Sequence, residues 1–287
     1  MATAAPINFL SLNVGSNTNL AGLNTVVSTA GFDVILLQEI KLSQSQLDIA
    51  ANRYGFLSKV NISEENQQKP GTAILWRTSI PLTGVVNLLE CRLQMAELGP
   101  YRILNCYAPS GSENKHSRSV FYGEEVFKYL RLNPDAQWLV GGDHNSVIRR
   151  ADVENGTGFS SKNCEALKDL VKCEKLTDCF VHLHGNKQDF TFHRPGKAKS
   201  RIDRFYVSEV LSGNIVQVDH IPSLSDHLGV TLKIVLDINI IRFRQKRNFS
   251  FWKINNQILE DDEFFPSFKA LWKFLVVSID NYNDIAD

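Results

Sequence analysis

Short apolar runs separated by polar, glycine-bearing breaks recur along most of the chain, and their spacing predicts its elements. Ile7–Leu12 predicts a strand that ends in the polar segment Asn13–Asn19. An amphipathic helix over Leu20–Ala30 follows and stops at Gly31. Val34–Leu37 predicts a second buried strand, ending on Gln38–Glu39, and Ser43 stands where it would cap a helix running to Asn52. Gly71–Trp76, Val85–Leu89 and Arg102–Cys106 read as successive strands, the last running into Tyr107-Ala108-Pro109. A helix is expected over Ser119–Arg131, with Pro134 beyond it, and a buried strand at Trp138–Val140. After that come a helix over Lys162–Cys173 and strands near Phe190–Phe192, Ile202–Val207, Ile215–Val218 and Val230–Leu236. Strands outnumber helices and the helices are interspersed among them. That order predicts two sheets packed face to face with helices outside, a layered α/β sandwich.

The stretch Gln137–Val147, QWLVGGDHNSV, is the centre of the pattern. Two glycines after a buried strand leave room for another group to approach the backbone, and Asp143 and Asn145 follow at once. If the strand geometry continues, Asp143 and Asn145 share one face and His144 points the other way, as a packed histidine. Asn13, Glu39, Tyr107, Asp143 and Asp203 all fall at or beside ends of expected strands. Loop ends on a rigid sheet are where chemistry tends to sit. Carboxylates are costly to bury unless paired or bound to metal, so several converging on one rim point to a cation.

The 287 residues suit one large domain, or one domain and an appendage. No apolar run is long enough to span a bilayer, and the start MATAAPINFL lacks the pattern of a secretion signal. Five cysteines at irregular spacings read as reduced thiols of an intracellular protein, which makes the sequons at Asn61, Asn155 and Asn248 chance matches. Cys164, Cys173, Cys179, His182 and His184 match no usual zinc spacing, and Cys164 and Cys173 fit the buried stripe of a helix. Net charge is zero, but Lys187, Arg194, Lys197, Lys199, Arg201 and Arg204 crowd into residues 187–204, and RFRQKR spans Arg242–Arg247. After Asp237 the sheet pattern stops. Residues 238–287 are expected to be a linker and the start of a following segment, the alternative being a C-terminal helix packed on residues 1–237.

SLNVGS at Ser11–Ser16, LLQEIK at Leu36–Lys41, NCYAPS at Asn105–Ser110, GGDHN at Gly141–Asn145, SRIDRFYVS at Ser200–Ser208 and LSDHLGV at Leu224–Val230 occur in this order. Together they resemble the endonuclease/exonuclease/phosphatase superfamily over residues 7–236, and within it the endonuclease domain of LINE-type, non-LTR retrotransposons. The resemblance implies a four-layered, deoxyribonuclease-like α/β sandwich. It further implies a Mg²⁺-dependent endonuclease, with Mn²⁺ able to substitute, that nicks one strand of duplex DNA. The 3′-hydroxyl so produced would prime a reverse transcriptase carried downstream in the same polypeptide, in the nucleus and with no membrane partner.

A phosphodiester anion repels nucleophiles, so its hydrolysis needs charge neutralisation, an activated water and help for the departing oxygen. On the resemblance, Glu39, with Asn13 and Asp226 beside it, holds the metal, since hard oxygen donors suit Mg²⁺. Asp143 orients or deprotonates the water, Asn145 and Tyr107 bond the phosphate, and His227 faces the scissile phosphate with Asp203 fixing its tautomer. Asp143 and His227 both remain open as the base. Thr191, Arg194, Lys197, Lys199, Ser200, Arg201, Ile202 and Ser225 are the expected DNA contacts, the Asn186–Ser200 segment reading as a hairpin able to enter a groove. His144 stands where the family usually places an apolar residue. Arg201-Ile202-Asp203-Arg204 lacks the cysteine that marks the inositol-phosphatase branch. Ser200 replaces the bulky apolar wall of abasic-site repair enzymes, so repair is the runner-up activity. A binding module that has lost catalysis would lack one of these groups, and none is missing.

Overall fold

The computed structural model describes residues 6–15, 31–66, 68–111, 113–156, 159–160, 164–196 and 198–238. The expected helix at Leu20–Ala30 and the segment 239–287 lie outside the described residues, as does Lys197. Strands β1 (Pro6–Asn13), β2 (Val34–Ile40), β3 (Phe56–Asn61) and β4 (Gly71–Arg77) join β11 (Ile215–Ile221) and β12 (Gly229–Val235) in one six-stranded sheet. Its order is β11-β12-β1-β2-β4-β3. The second sheet, also six-stranded, runs β5-β6-β7-β8-β10-β9. It is built from β5 (Thr83–Leu89), β6 (Leu93–Leu98), β7 (Tyr101–Tyr107), β8 (Gln137–Asp143), β9 (Leu176–Asp178) and β10 (Asp203–Ser208).

Each sheet carries one parallel pair near its middle, β1 with β2 and β7 with β8, flanked by an antiparallel partner, β12 or β10. The inner faces meet through Phe9, Leu36, Ile103, Leu139, Phe205 and Leu232, all buried, with Phe9 and Phe205 edge to face at 6.2 Å. Each such aliphatic or aromatic side chain is worth about 1.5–3 kcal/mol on burial. Helix α1 (Gln44–Asn52) covers the outer face of the first sheet through Leu47, Ala50 and Ala51. Ser43 caps it as expected, in a full capping box with Gln46. On the outer face of the second sheet, α2 (Lys115–Val120) passes through a π-helical turn, Phe121–Val126, into α3 (Phe127–Leu132). With α4 (Glu165–Cys173) these bury Phe121, Tyr122, Leu130, Leu167 and Leu170 against the sheet. The layers are therefore helix, sheet, sheet, helix. No helix among the described residues is long and apolar enough to cross a membrane.

Several local expectations change. Strands β3, β6 and β9 and helix α5 (Cys179–His184) were not expected, whereas Phe190–Phe192 makes only isolated bridges. Cys173 is exposed at the end of α4 rather than on its buried stripe, which Leu167 and Leu170 occupy. Strand β8 ends at Asp143, so the alternation argued for Asn145 does not operate; Asn145 reaches the same face through a turn in which its φ is +45°.

The glycine pair does make room for close approach. A Cβ on Gly141 would strike Phe205 and Leu36 of the facing sheet, and one on Gly142 would strike the Cys106 carbonyl of neighbouring β7. Gly142 also holds φ +150°, a backbone conformation that favours glycine.

Candidate active site

Because β1, β2, β7 and β8 all run the same way within their parallel pairs, their carboxyl ends bring Asn13, Glu39, Tyr107 and Asp143 to one rim. Register carries this further: Asp143 lies opposite Tyr107 on one side and Asp203, at the start of β10, on the other. Glu39 is the extra residue of a β-bulge, between Gln38 paired with Thr72 and Ile40 paired with Gly71, at φ +60°. Such bulges re-aim a side chain at the cost of local strain. Just beneath the rim, the buried Gln38 amide donates to Asn105 Oδ1 at 2.8 Å. Asn105 in turn donates to the Leu37 and Ala73 carbonyls at 3.1 and 3.0 Å, tying the two sheets together. No chemical motif marks this pair in the sequence; its one visible signal is a polar residue inside an apolar strand run.

The rim groups form a connected network. Asn13 Nδ2 donates to Glu39 Oε1 at 3.1 Å and to Asp143 Oδ2 at 2.9 Å. Tyr107 donates its hydroxyl to the same Glu39 oxygen at 3.0 Å. The Arg92 guanidinium stacks 4.4 Å from the centre of the Tyr107 ring, a contact that no sequence pattern announced. Asn145 donates from its backbone and side chain to Asp143 at 2.9 and 3.1 Å, and is itself anchored on the Ala108 carbonyl at 2.9 Å. His227 Nδ1 faces both oxygens of Asp203, at 2.9 and 3.1 Å. Phe192 packs against the imidazole with ring centres 4.9 Å apart.

Electrostatics divides these groups. Burial, reinforced by Asp203, pushes the Asp143 carboxyl up to about 7 against the hydrogen bonds from Asn13 and Asn145. Burial opposes a charge on His227, but Asp203 outweighs it, with help from Asp143 and Asp226, and the imidazole is pushed up to about 10. Burial and the Glu39 carboxylate raise the Tyr107 phenol well above its ordinary range, so it stays a proton donor. His144 behaves as a packed residue: burial pushes it down to about 3, and Nδ1 meets the Tyr122 hydroxyl at 3.0 Å.

Among the described residues one group of three can hold a metal, Asp143, Asp203 and His227, with ligand atoms within 4.8 Å of one another. Glu39 adds a carboxylate that shares the Asn13 amide with Asp143. These predominantly oxygen donors fit a hard divalent cation. Two expected ligands are placed otherwise. Asn13 offers its amide nitrogen to the carboxylates, while its side-chain Oδ1 accepts from Gly15 N at 3.0 Å. Asp226 gives Oδ2 to Arg194, at 2.7 and 3.1 Å, because the guanidinium fork reaches it from the adjacent hairpin.

Three of the expected DNA contacts, Thr191, Arg201 and Ile202, are corrected by their burial. Arg201 is 1% exposed and pairs with Asp152 at 3.0 Å and Asp178 at 2.7 Å. Arg204, equally buried, bonds Asp152 at 3.2 Å and the Ser146 carbonyl at 2.7 Å. An interior guanidinium must be paired, and here the partners are acids distant in sequence. Thr191 and Ile202 are buried too: Thr191 Oγ1 accepts from the backbone N–H of Ile202 and Asp203 at 3.1 and 3.0 Å, which sets the start of β10. Ser225 donates to the Asn13 carbonyl at 2.7 Å. Ser200 closes a hairpin by exchanging backbone hydrogen bonds with Phe192 at 2.8 and 3.1 Å. Among the described residues of the expected set, Arg194 and Lys199 stand exposed, each beside an acid, Asp226 or Glu154.

A sequence model described as the endonuclease/exonuclease/phosphatase family matches residues 10–227. The chain belongs to this family. The matched residues run from the middle of β1 to His227. Over 197 residues the chain is 26% identical to the transposon TX1 uncharacterized 149 kDa protein of Xenopus laevis, covering 67% of this chain and 14% of that protein. Its fold is that of an AP endonuclease from Archaeoglobus fulgidus (TM-score 0.68, 20% identity, 81% of this chain and 100% of that one). A 3′ phosphatase, NExo, from Neisseria, solved with a product DNA hairpin, is similar to the same degree (TM-score 0.66, 20% identity, 79% and 99% covered). Both likenesses are of fold.

Proposed function

We propose that this family member is a divalent-metal-dependent DNA endonuclease that nicks one strand of a duplex and leaves a 3′-hydroxyl. The observation that carries the reading is the side-by-side placement of Asp143, raised toward neutrality, and the Asp203–His227 pair, which keeps a proton on the imidazole. Groups whose environments push their proton affinities apart take the base and acid roles. Asp143 is the base: held by Asn13 and Asn145, it takes a proton from the attacking water. His227, its Nδ1–H bound by Asp203, turns Nε2–H to the phosphate and stabilises charge on a non-bridging oxygen. Water attacks phosphorus, the bond to the 3′ oxygen breaks, and that oxygen takes a proton from solvent water to become a hydroxyl, with the phosphate left on the 5′ side. Tyr107, kept neutral, adds a further donor. Mg²⁺, or Mn²⁺ in its place, held by Glu39, would neutralise phosphate charge.

The transposon relative supports a role in a non-LTR retrotransposon, where the new 3′-hydroxyl primes a reverse transcriptase elsewhere in the polypeptide; such a nick is made in the nucleus. A paired test uses an intact duplex and the same duplex with one abasic site. Nicking of both at comparable rates, lost in Asp143→Asn and in EDTA, is expected. A preference of about a thousandfold for the lesion would make repair the function.

A further inference from the structure

The chain reaches His227 through the loop 222–226, PSLSD, whose Leu224 is 81% exposed, the most of any large hydrophobic side chain described. A lone surface leucine is ordinary. This one is held out on a rigid support. Ser223 donates its hydroxyl to the His227 carbonyl, and Ser225 donates to the Asn13 carbonyl at 2.7 Å. Ser223 Oγ accepts from Ser225 N and Ser225 Oγ from His227 N, both at 3.0 Å. The Phe192–Ser200 hairpin is knitted to the same loop: His193 N donates to Asp226 O at 2.8 Å, Leu228 N to Thr191 O at 2.6 Å, and Arg194 pairs with Asp226. Loop and hairpin form one ledge at the active-site rim, and among its described residues Leu224 is the exposed large hydrophobic side chain.

We propose that Leu224 is a wedge, entering the base stack of duplex DNA beside the scissile phosphate. The proposal rests on the endonuclease reading above and adds to it a source of site choice. Apolar side chains that enter a groove unstack a step, and burying the leucine returns part of what the opening costs. Pyrimidine–purine steps open most readily, so the wedge selects sites by deformability rather than by base edges. Two features suit this. The loop cannot fold back, because its serines are bound to Asn13 and His227, and Leu224 lies three residues before His227, so the opened step sits beside the bond that is cut.

The test compares nicking at one pyrimidine–purine step in a fully paired duplex with nicking at the same step opened by a neighbouring mismatch, in Mg²⁺. Wild-type protein should cut both at similar rates. Leu224→Ser should lose about tenfold on the paired duplex relative to the opened one, and Leu224→Met should restore the wild-type ratio. Cutting of the opened site also shows that the variant is folded. A Leu224→Ser ratio equal to wild type, or an equal loss on both duplexes, overturns the wedge while leaving the endonuclease reading intact. No nicking by wild type on either duplex overturns both.

Discussion

Replacing Asp203 with asparagine removes the charge that holds His227 protonated while preserving shape. The imidazole is pushed from its ordinary value near 6.5 up to about 10. At about 1.4 kcal/mol for each tenfold change in proton affinity, the rise corresponds to interactions on the order of 5 kcal/mol. With Asp203 gone, burial acts against only the more distant Asp143 and Asp226, so His227 should titrate near or below its ordinary value. Two consequences follow. At pH 7.5 the imidazole is neutral, a charged donor to the phosphate is lost, and the nicking rate should fall by about 10²–10⁴. A histidine raised in the folded state contributes stability that is fully present below about pH 6.5 and is lost as pH rises through about 10. The stability gap between wild type and Asp203→Asn should therefore be largest near pH 6 and close toward pH 10. NMR titration of the imidazole and urea unfolding at the two pH values read both effects. An imidazole in the variant that still titrates above pH 8, or a nicking rate within tenfold of wild type, would refute the reasoning.

Asp152→Ala should cost about 3–5 kcal/mol in urea unfolding, because it leaves the buried Arg201 and Arg204 to share Asp178 alone. Burial alone would raise the Asp152 carboxyl, but Arg204 and Arg201 hold it well below the usual carboxylate range. Its contribution is thus present above about pH 4 and lost as pH falls, so wild type, and not the variant, should show an added acid-unfolding loss below that pH. Gly142→Ala should destabilise by at least about 2 kcal/mol, since it drives a Cβ into the Cys106 carbonyl at a φ that disfavours side chains; an unchanged urea midpoint would contradict the close approach. Removing 239–287 should leave nicking within about threefold, because the rim residues described run from Asn13 to His227; loss of folding would place that segment in the core.

The rim was legible because strand ends are marked by the switch from apolar runs to Asn13, Glu39, Tyr107 and Asp143, and that switch survives any error in strand length. What failed depended on distant partners. Strand β6, LQMAEL, consists of good helix formers, and it is a strand because β5 and β7 flank it. Arg201 and Arg204 look like a surface charge run until Asp152 and Asp178 are seen to fold beneath them. The helix expected at Ser119–Arg131 begins earlier, at Lys115, and its π turn shifts Tyr122 onto His144, a contact that no 3.6-residue period describes. Asn145 meets Asp143 through a turn rather than by strand alternation.

Treating supercoiled plasmid with the protein and Mg²⁺, then supplying a DNA polymerase and labelled nucleotide, tests the proposed chemistry most directly. The account predicts nicked circles whose ends are extended at once, with both nicking and label abolished by EDTA and by Asp143→Asn. Nicks that take up label only after phosphatase treatment, or that persist in EDTA, would contradict it.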